Sequence, residues 1–231
     1  MITVDETLAS LYRRRNRHVL VVGHYPQLDL AGQTNPVFQG SELHMLYAGR
    51  LSRDRGLLLY ADILRQLRKL GVPARLILAG AYTPASEADV LQQHTADLEG
   101  FIDQLGWVPY EKMPEVLHAA DIGLAILQPE PRYVAALPVK LFEYMAAGLP
   151  VIASNFPLIA QVVTSRQCGA LVDPRKCPSA AVNVIQKWWA ARDQGQKLGE
   201  NGRQAVLCEY NWESLVGQID LLYQSLLTGK P

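Results

Sequence analysis

Four runs of this chain are apolar almost from end to end: LHMLYAG from Leu43, ARLILAG from Ala74, IGLAILQ from Ile122 and PVIAS from Pro150. A strand of this kind has no face to turn to water, so it belongs in a parallel sheet covered by helices on both sides. Helical patterns separate the runs. From about Gly56 to Leu70, Tyr60, Ile63, Leu64, Leu67 and Leu70 recur at the i, i+3, i+4, i+7 spacing of a helix with one buried face. ASEADVLQQHTADLE reads as a polar helix, GFIDQLGWVP as a short strand and YEKMPEVLHAAD as a short helix. PLIAQVVTSR (helix), GALVD (strand) and PSAAVNVIQKWWAAR (helix) follow. WESLVGQIDLLYQSLL closes the chain with an apolar stripe of Leu215, Ile219, Leu222 and Leu226. Before Leu43, DETLASLYRRRN reads as a helix and HVLVVGHYP as a strand. The next stretch, marked by Gly32, Asn35, Pro36 and Gly40, is a connector. From Leu43 onward the expectation is therefore a doubly wound α/β domain. Its ligands should bind beyond the carboxyl ends of the strands, where Gly49, Gly80, Trp107, Gln128 and Ser154 fall.

Composition narrows the function. At 231 residues, 49% hydrophobic and 19% charged, the chain is globular and can bury one large core or two small ones. Basic and acidic residues number 22 each, so no net field directs it to nucleic acid. Cys168, Cys177 and Cys208 lack zinc spacing and read as small hydrophobes in a reducing cytoplasm. No apolar run reaches the ~20 residues of a membrane span, and the first residues lack a signal-peptide core. A cytoplasmic protein is expected. The basic cluster YRRRNRH, Tyr12 to His18, fits a solvated helix end or a contact with an anionic membrane surface.

Three strand ends carry groups that could do chemistry. In YAGRLSRDRG a strand stops at Gly49, and Arg50 and Arg55 flank the start of a helix. Glycine lets a ligand approach the backbone, and a helix N-terminus offers N–H groups to an anion. Two guanidiniums there would clamp a diphosphate; a basic surface turn, diluted by Asp54, is the alternative. In LPVKLFEYMAAGLPVIAS, Pro138 starts a helix and Gly148 ends it. Val139, Phe142 and Met145 or Ala146 are expected on its buried side. Lys140 stands in the first turn, where the macrodipole disfavours a cation by up to about 1 kcal/mol, and Glu143 shares its face. Either they form an ion pair worth ~0.3 kcal/mol, or an anion joins Lys140 while Glu143 accepts from both hydroxyls of a ribose. The apolar neighbours of Glu143 favour the second reading. The loop from Gly106 to Pro109, with Val108 within it, offers main-chain groups that suit a nucleobase edge, or is a plain connection.

Taken in order, LYAGRLSRDRG, ARLILAG, LGWVPYEKMPEVLHAADIGL, PVKLFEYMAAGLPVIAS and EYNWESL resemble the C-terminal half of the retaining GT-B glycosyltransferases of group 1. The resemblance implies a Rossmann-like domain that binds a nucleotide-diphosphate sugar, with no metal expected. By that likeness, residues 1–30 are the last helix and strand of an N-terminal GT-B domain. Residues 31–42 are a linker, and 43–231 form the donor domain with a final bracing helix. Gly49, Arg50, Arg55, Val108, Pro138, Lys140, Leu141 and Glu143 would contact the donor. Arg50, Arg55 and Lys140 would stabilise the leaving diphosphate. The family often carries a second glutamate where this chain has Ala135, and a lysine where it has Arg55.

The likeness further implies that the acceptor, of unknown identity, binds an N-terminal domain of which little is present here. Peripheral membrane contact would run through that domain, and the final helix would have an apolar side free for self-association. Transfer by this chain alone is not expected. Two other readings stay open: a non-catalytic nucleotide-sugar-binding subunit paired with another chain, and a nucleotide-sugar 2-epimerase-like enzyme. The second needs acid–base groups that the scattered His18, His24, His44, His94 and His118 do not assemble.

Overall fold

The structure, a computed structural model, describes residues 1–4, 6–16, 18–31 and 36–228. The connector marks Gly32 and Asn35, the helix-opening Asp5 and Arg17 of the basic cluster lie outside the described residues. Strands β1 (Ile2–Thr3) and β2 (Leu20–Val21) pair in parallel across helix α1 (Glu6–Arg13) as a small sheet of their own. The sequence reading had no β1, and it made β2 longer than it is. With a two-residue partner, β2 has no ladder along which to extend.

The main sheet holds β3 (Leu43–Ala48), β4 (Ala74–Ala79), β5 (Ile102–Gly106), β6 (Ile122–Ala125), β7 (Val151–Ser154) and β8 (Gly169–Val172). Their order is β5-β4-β3-β6-β7-β8, and every pairing is parallel. All residues of β6 and β7 are buried, as apolar runs between two helix layers must be. Helices α2 (Leu57–Lys69), α3 (Glu87–His94), α4 (Met113–His118), α5 (Pro131–Val134), α6 (Val139–Ala146), α7 (Pro157–Arg166) and α8 (Ser179–Ala190) connect and cover the strands, and α9 (Arg192–Cys208) and α10 (Trp212–Thr228) complete the chain. The expected doubly wound α/β fold is the observed one. The strand order reverses between β3 and β6, and the site lies there.

Two details correct the helical reading. Tyr60, Ile63, Leu64 and Leu67 are buried on α2, but Leu70 is 57% exposed. Its N–H closes the last turn on Gln66 and Leu67, and Gly71 then turns the chain away at φ +79°. Helix α9 was not anticipated at all. Its buried face is built from Gly195, Gly199, Gly202, Ala205 and Val206 rather than from large side chains. A Cβ on Gly199 would come within 1.9 Å of the Gly148 carbonyl oxygen, so α9 packs on the end of α6 at backbone distance. Arg192, Gln196 and Arg203 of α9 also donate to the carbonyls of Phe38, Val37 and Ala31, tying the connector to the domain. On α10 the stripe fades along the helix: Leu215 is buried, Ile219 and Leu222 are half-buried, and Leu226 is exposed.

Candidate functional site

A hollow of about 560 Å³ opens at the strand-order reversal, lined by Gly49 after β3, Leu127 after β6, Met113 of α4, Arg132 and Tyr133 of α5, and Pro138, Val139, Lys140 and Glu143 at the start of α6. Buried hydrogen bonds fix its walls. The Ala48 N–H donates to the Tyr144 hydroxyl at 2.8 Å, which joins the end of β3 to α6. That approach explains a glycine inside a buried strand: a Cβ on Gly123 would fall 2.4 Å from the Tyr144 ring. Ser154 at the end of β7 donates to the Leu127 carbonyl and accepts from the Leu127 N–H, holding the loop after β6.

Lys140 is 7% exposed, and its Nζ has no hydrogen-bond partner among the described residues. It therefore makes no hydrogen-bonded ion pair with Glu143, the simpler of the two sequence readings. The ammonium lies 3.5 Å from the centroid of the Tyr47 ring. Burial, with Arg55 adding to it, pushes its pKa well below the ordinary lysine value, against the pull of Glu143. Glu143 is half-buried in the same wall, and burial raises its pKa although Lys140 opposes this. Gly49 has φ +128°, and a Cβ there would meet Lys140 Nζ at 2.9 Å, so only glycine leaves room beside the ammonium. A buried cation with no partner, beside bare backbone, is a place for an anion.

The structure separates the other expected residues. Arg55 is half-buried, 5.2 Å from the Tyr133 ring centroid, and lines this hollow. Arg50 is exposed and lines an adjacent hollow, which Arg55 also borders. Pro138 lines the site, whereas the Leu141 side chain is fully buried in the core. Val108 is half-buried against the core, and Met113 of the same connection reaches the hollow instead.

Two local expectations fail. Val139, placed on the buried side, is 38% exposed and lines the hollow. Leu141, Phe142, Tyr144, Met145 and Ala146 enclose the rest of α6, which leaves the hollow as its open direction. The start of α2 offers fewer N–H groups than expected as well. Residues 53–55 tighten into a 3₁₀ turn, in which the N–H groups of Arg55, Gly56 and Leu57 bond the carbonyls of Ser52, Arg53 and Ser52 respectively.

Sequence reasoning missed Arg132 and Tyr133. Asp54, read as a mere dilution of charge, is what places them: it accepts from the Tyr133 hydroxyl at 2.8 Å and pairs with Arg132 and Ser52. Burial alone would raise the Asp54 pKa, but bonds from Ser52 and Tyr133 and the nearby guanidiniums lower it overall. A proline-led turn carrying Arg and Tyr between a buried strand and the Lys140 helix was the available signal.

Comparison with known proteins decides the family. The family model "Glycosyl transferases group 1" matches residues 42–190. The chain belongs to this family. It is 25% identical over 191 residues to the putative glycosyltransferase YtcC of Bacillus subtilis, an alignment covering 80% of this chain and 46% of YtcC. The chain spans about half the length of the curated relatives it matches. HepE from Anabaena, solved in complex with UDP, superposes with a TM-score of 0.80 at 18% identity, over 97% of this chain and 63% of HepE. The C-terminal domain of LpcC, a group 1 glycosyl transferase from Francisella tularensis, superposes with a TM-score of 0.62 at 20% identity, over 82% of this chain and 96% of that domain. The fold is that of the GT-B C-terminal domain, Rossmann-like with a six-stranded parallel sheet.

Proposed function

We propose that this group 1 chain binds the nucleotide-diphosphate sugar of a retaining glycosyl transfer in the hollow beside Lys140. One observation carries the reading: the buried Lys140 ammonium, without a hydrogen-bond partner among the described residues and next to Gly49, faces a hollow bordered by Arg55 and Glu143. Lys140 and Arg55 neutralise the diphosphate, with Arg50 at the edge of the adjoining hollow. Glu143, one turn along α6, accepts from both ribose hydroxyls. Met113 and main-chain groups of the loop around Val108 meet the base, and Leu141 acts through its backbone alone. The solved complex of HepE with UDP supports the ligand class.

In transfer, the acceptor hydroxyl attacks the anomeric carbon on the face that the leaving group vacates. The bond from that carbon to the β-phosphate oxygen breaks, and the hydroxyl proton passes to the departing phosphate. Charge growing on the diphosphate is met by fixed guanidinium and ammonium groups, the arrangement that lowers such barriers most effectively. In this reading residues 1–30 belong to an acceptor-side domain, 31–42 link it and 43–231 hold the donor. The histidines do not gather at the hollow, where an epimerase would need them: His94 pairs with Asp62 and His44 with the Ala119 carbonyl. Glu143→Ala tests the ribose role. It should cost about 1.5–3 kcal/mol of UDP or GDP affinity with the fold intact by circular dichroism, and equal affinities would end the assignment.

A further inference from the structure

Arg55 enters no ion pair among the described residues, although Asp54 is its neighbour in sequence. The Asp54 carboxylate is engaged elsewhere: it accepts from Ser52 Oγ, from Arg132 and, at 2.8 Å, from the Tyr133 hydroxyl. Arg55 rests instead on two phenols. Its guanidinium carbon lies 5.2 Å from the Tyr133 ring centroid. Burial would lower its pKa, but the Tyr47 and Tyr133 hydroxyls beside it raise the value overall. Each of those hydroxyls has its one proton committed, Tyr47 to the Arg50 carbonyl at 2.9 Å and Tyr133 to Asp54. A phenol that has donated its proton turns a lone pair to the next donor, and a guanidinium has donors enough for both. Neutral acceptors of this kind orient a cation without cancelling its charge, whereas a carboxylate in their place would offset it.

The backbone holds these groups in place. The Gln128 N–H donates to the Asp54 carbonyl at 3.1 Å, and the Tyr60 hydroxyl donates to the Ile126 carbonyl at 2.8 Å. A Cβ on Gly56 would come within 2.4 Å of that Ile126 oxygen. The turn that carries Asp54 and Arg55 therefore lies at backbone distance from the loop leading into α5 and Tyr133.

We propose that Asp54 and Tyr133 are positioning residues of the donor site: Asp54 takes the Tyr133 proton, and the hydroxyl then aims the Arg55 guanidinium, its charge intact, into the hollow. Arg132 balances the charge of Asp54. The inference rests on the reading that Arg55 meets the donor diphosphate.

The sign of one substitution separates aiming from charge. An acidic group beside a diphosphate opposes its binding, so by charge alone Asp54→Leu would tighten binding; aiming requires that it weaken. UDP and GDP are titrated calorimetrically into the whole chain and its variants, each checked for folding by circular dichroism. Asp54→Leu and Tyr133→Phe should each weaken nucleotide binding about tenfold. Asp54→Asn, whose amide oxygen still accepts from Tyr133, should stay within about threefold of wild type. In an Arg55→Met background, Tyr133→Phe should cost nothing further. In the free protein the Arg55 Nε–H resonance, assigned by its loss in Arg55→Met, should exchange faster with water in Asp54→Leu and in Tyr133→Phe. Tighter or unchanged binding by Asp54→Leu, an Asp54→Asn as weak as Asp54→Leu, or an undiminished effect of Tyr133→Phe without Arg55 overturns the proposal. If wild type binds neither nucleotide, the donor reading fails, and unchanged exchange at Arg55 would then overturn the positioning on its own.

Discussion

At Lys140, burial and Arg55 act against the charge that the proposed function needs, and so does the dipole of α6. Stability and binding should therefore separate there. Lys140→Met keeps the volume and removes the charge. It should raise stability by on the order of 1–2 kcal/mol and abolish UDP binding. The sign follows from linkage. A lysine whose folded-state pKa lies below its unfolded value makes the unfolded chain the better proton binder, so wild-type stability rises with pH between the two values. The advantage of Lys140→Met should thus be largest at low pH and close as pH approaches the ordinary 10.5. Thermal melts across pH check this, and a gap that widens with pH would contradict it. A bound diphosphate should also move the Lys140 pKa back up, seen between the free and bound values as a heat that depends on the ionisation enthalpy of the buffer. Lys140 and Glu143 were legible because charge in the first turns of a mostly apolar helix has no local use. Arg132 and Tyr133 were not, because Asp54 places them from 78 and 79 residues away.

Among the elements, the strands of the main sheet were read well and α9 not at all, for one physical reason. A strand buried on both faces is apolar almost throughout, so β3, β4, β6 and β7 declare themselves. A helix is recognised by bulky apolar residues at helical spacing. Helix α9 instead buries Gly195, Gly199 and Gly202, whose absent side chains allow contact with Phe38, the Gly148 carbonyl and Met145. Glycine disfavours an isolated helix by about 1 kcal/mol relative to alanine, so its recurrence reads as loop. The packing argument reverses that preference here. Gly199→Ala should destabilise the protein by about 1–3 kcal/mol despite the better helix former, measured by urea denaturation. Unchanged or increased stability would show that α9 does not lie at backbone distance from α6.

For the whole molecule, the fold class followed from the strand runs and the hollow from where their order reverses. Helix α10 leaves Leu221, Tyr223, Leu226 and Leu227 more than half exposed. We expect concentration-dependent self-association in sedimentation velocity, suppressed by Leu226→Ser with Leu227→Ser; a monomer at all concentrations would contradict this. Transfer also needs the acceptor hydroxyl held at the anomeric carbon, positioning that can supply ~7–11 kcal/mol of a barrier. The 231 residues by themselves are thus expected to bind donor without acceptor-dependent turnover. The most direct test of the central claim is calorimetric titration of UDP and GDP into the wild-type chain and Lys140→Met, both in EDTA. The account predicts that wild type binds at least one nucleoside diphosphate with chelator present and that the folded variant binds neither. Wild-type binding that vanishes with EDTA, or equal binding by the variant, would contradict it.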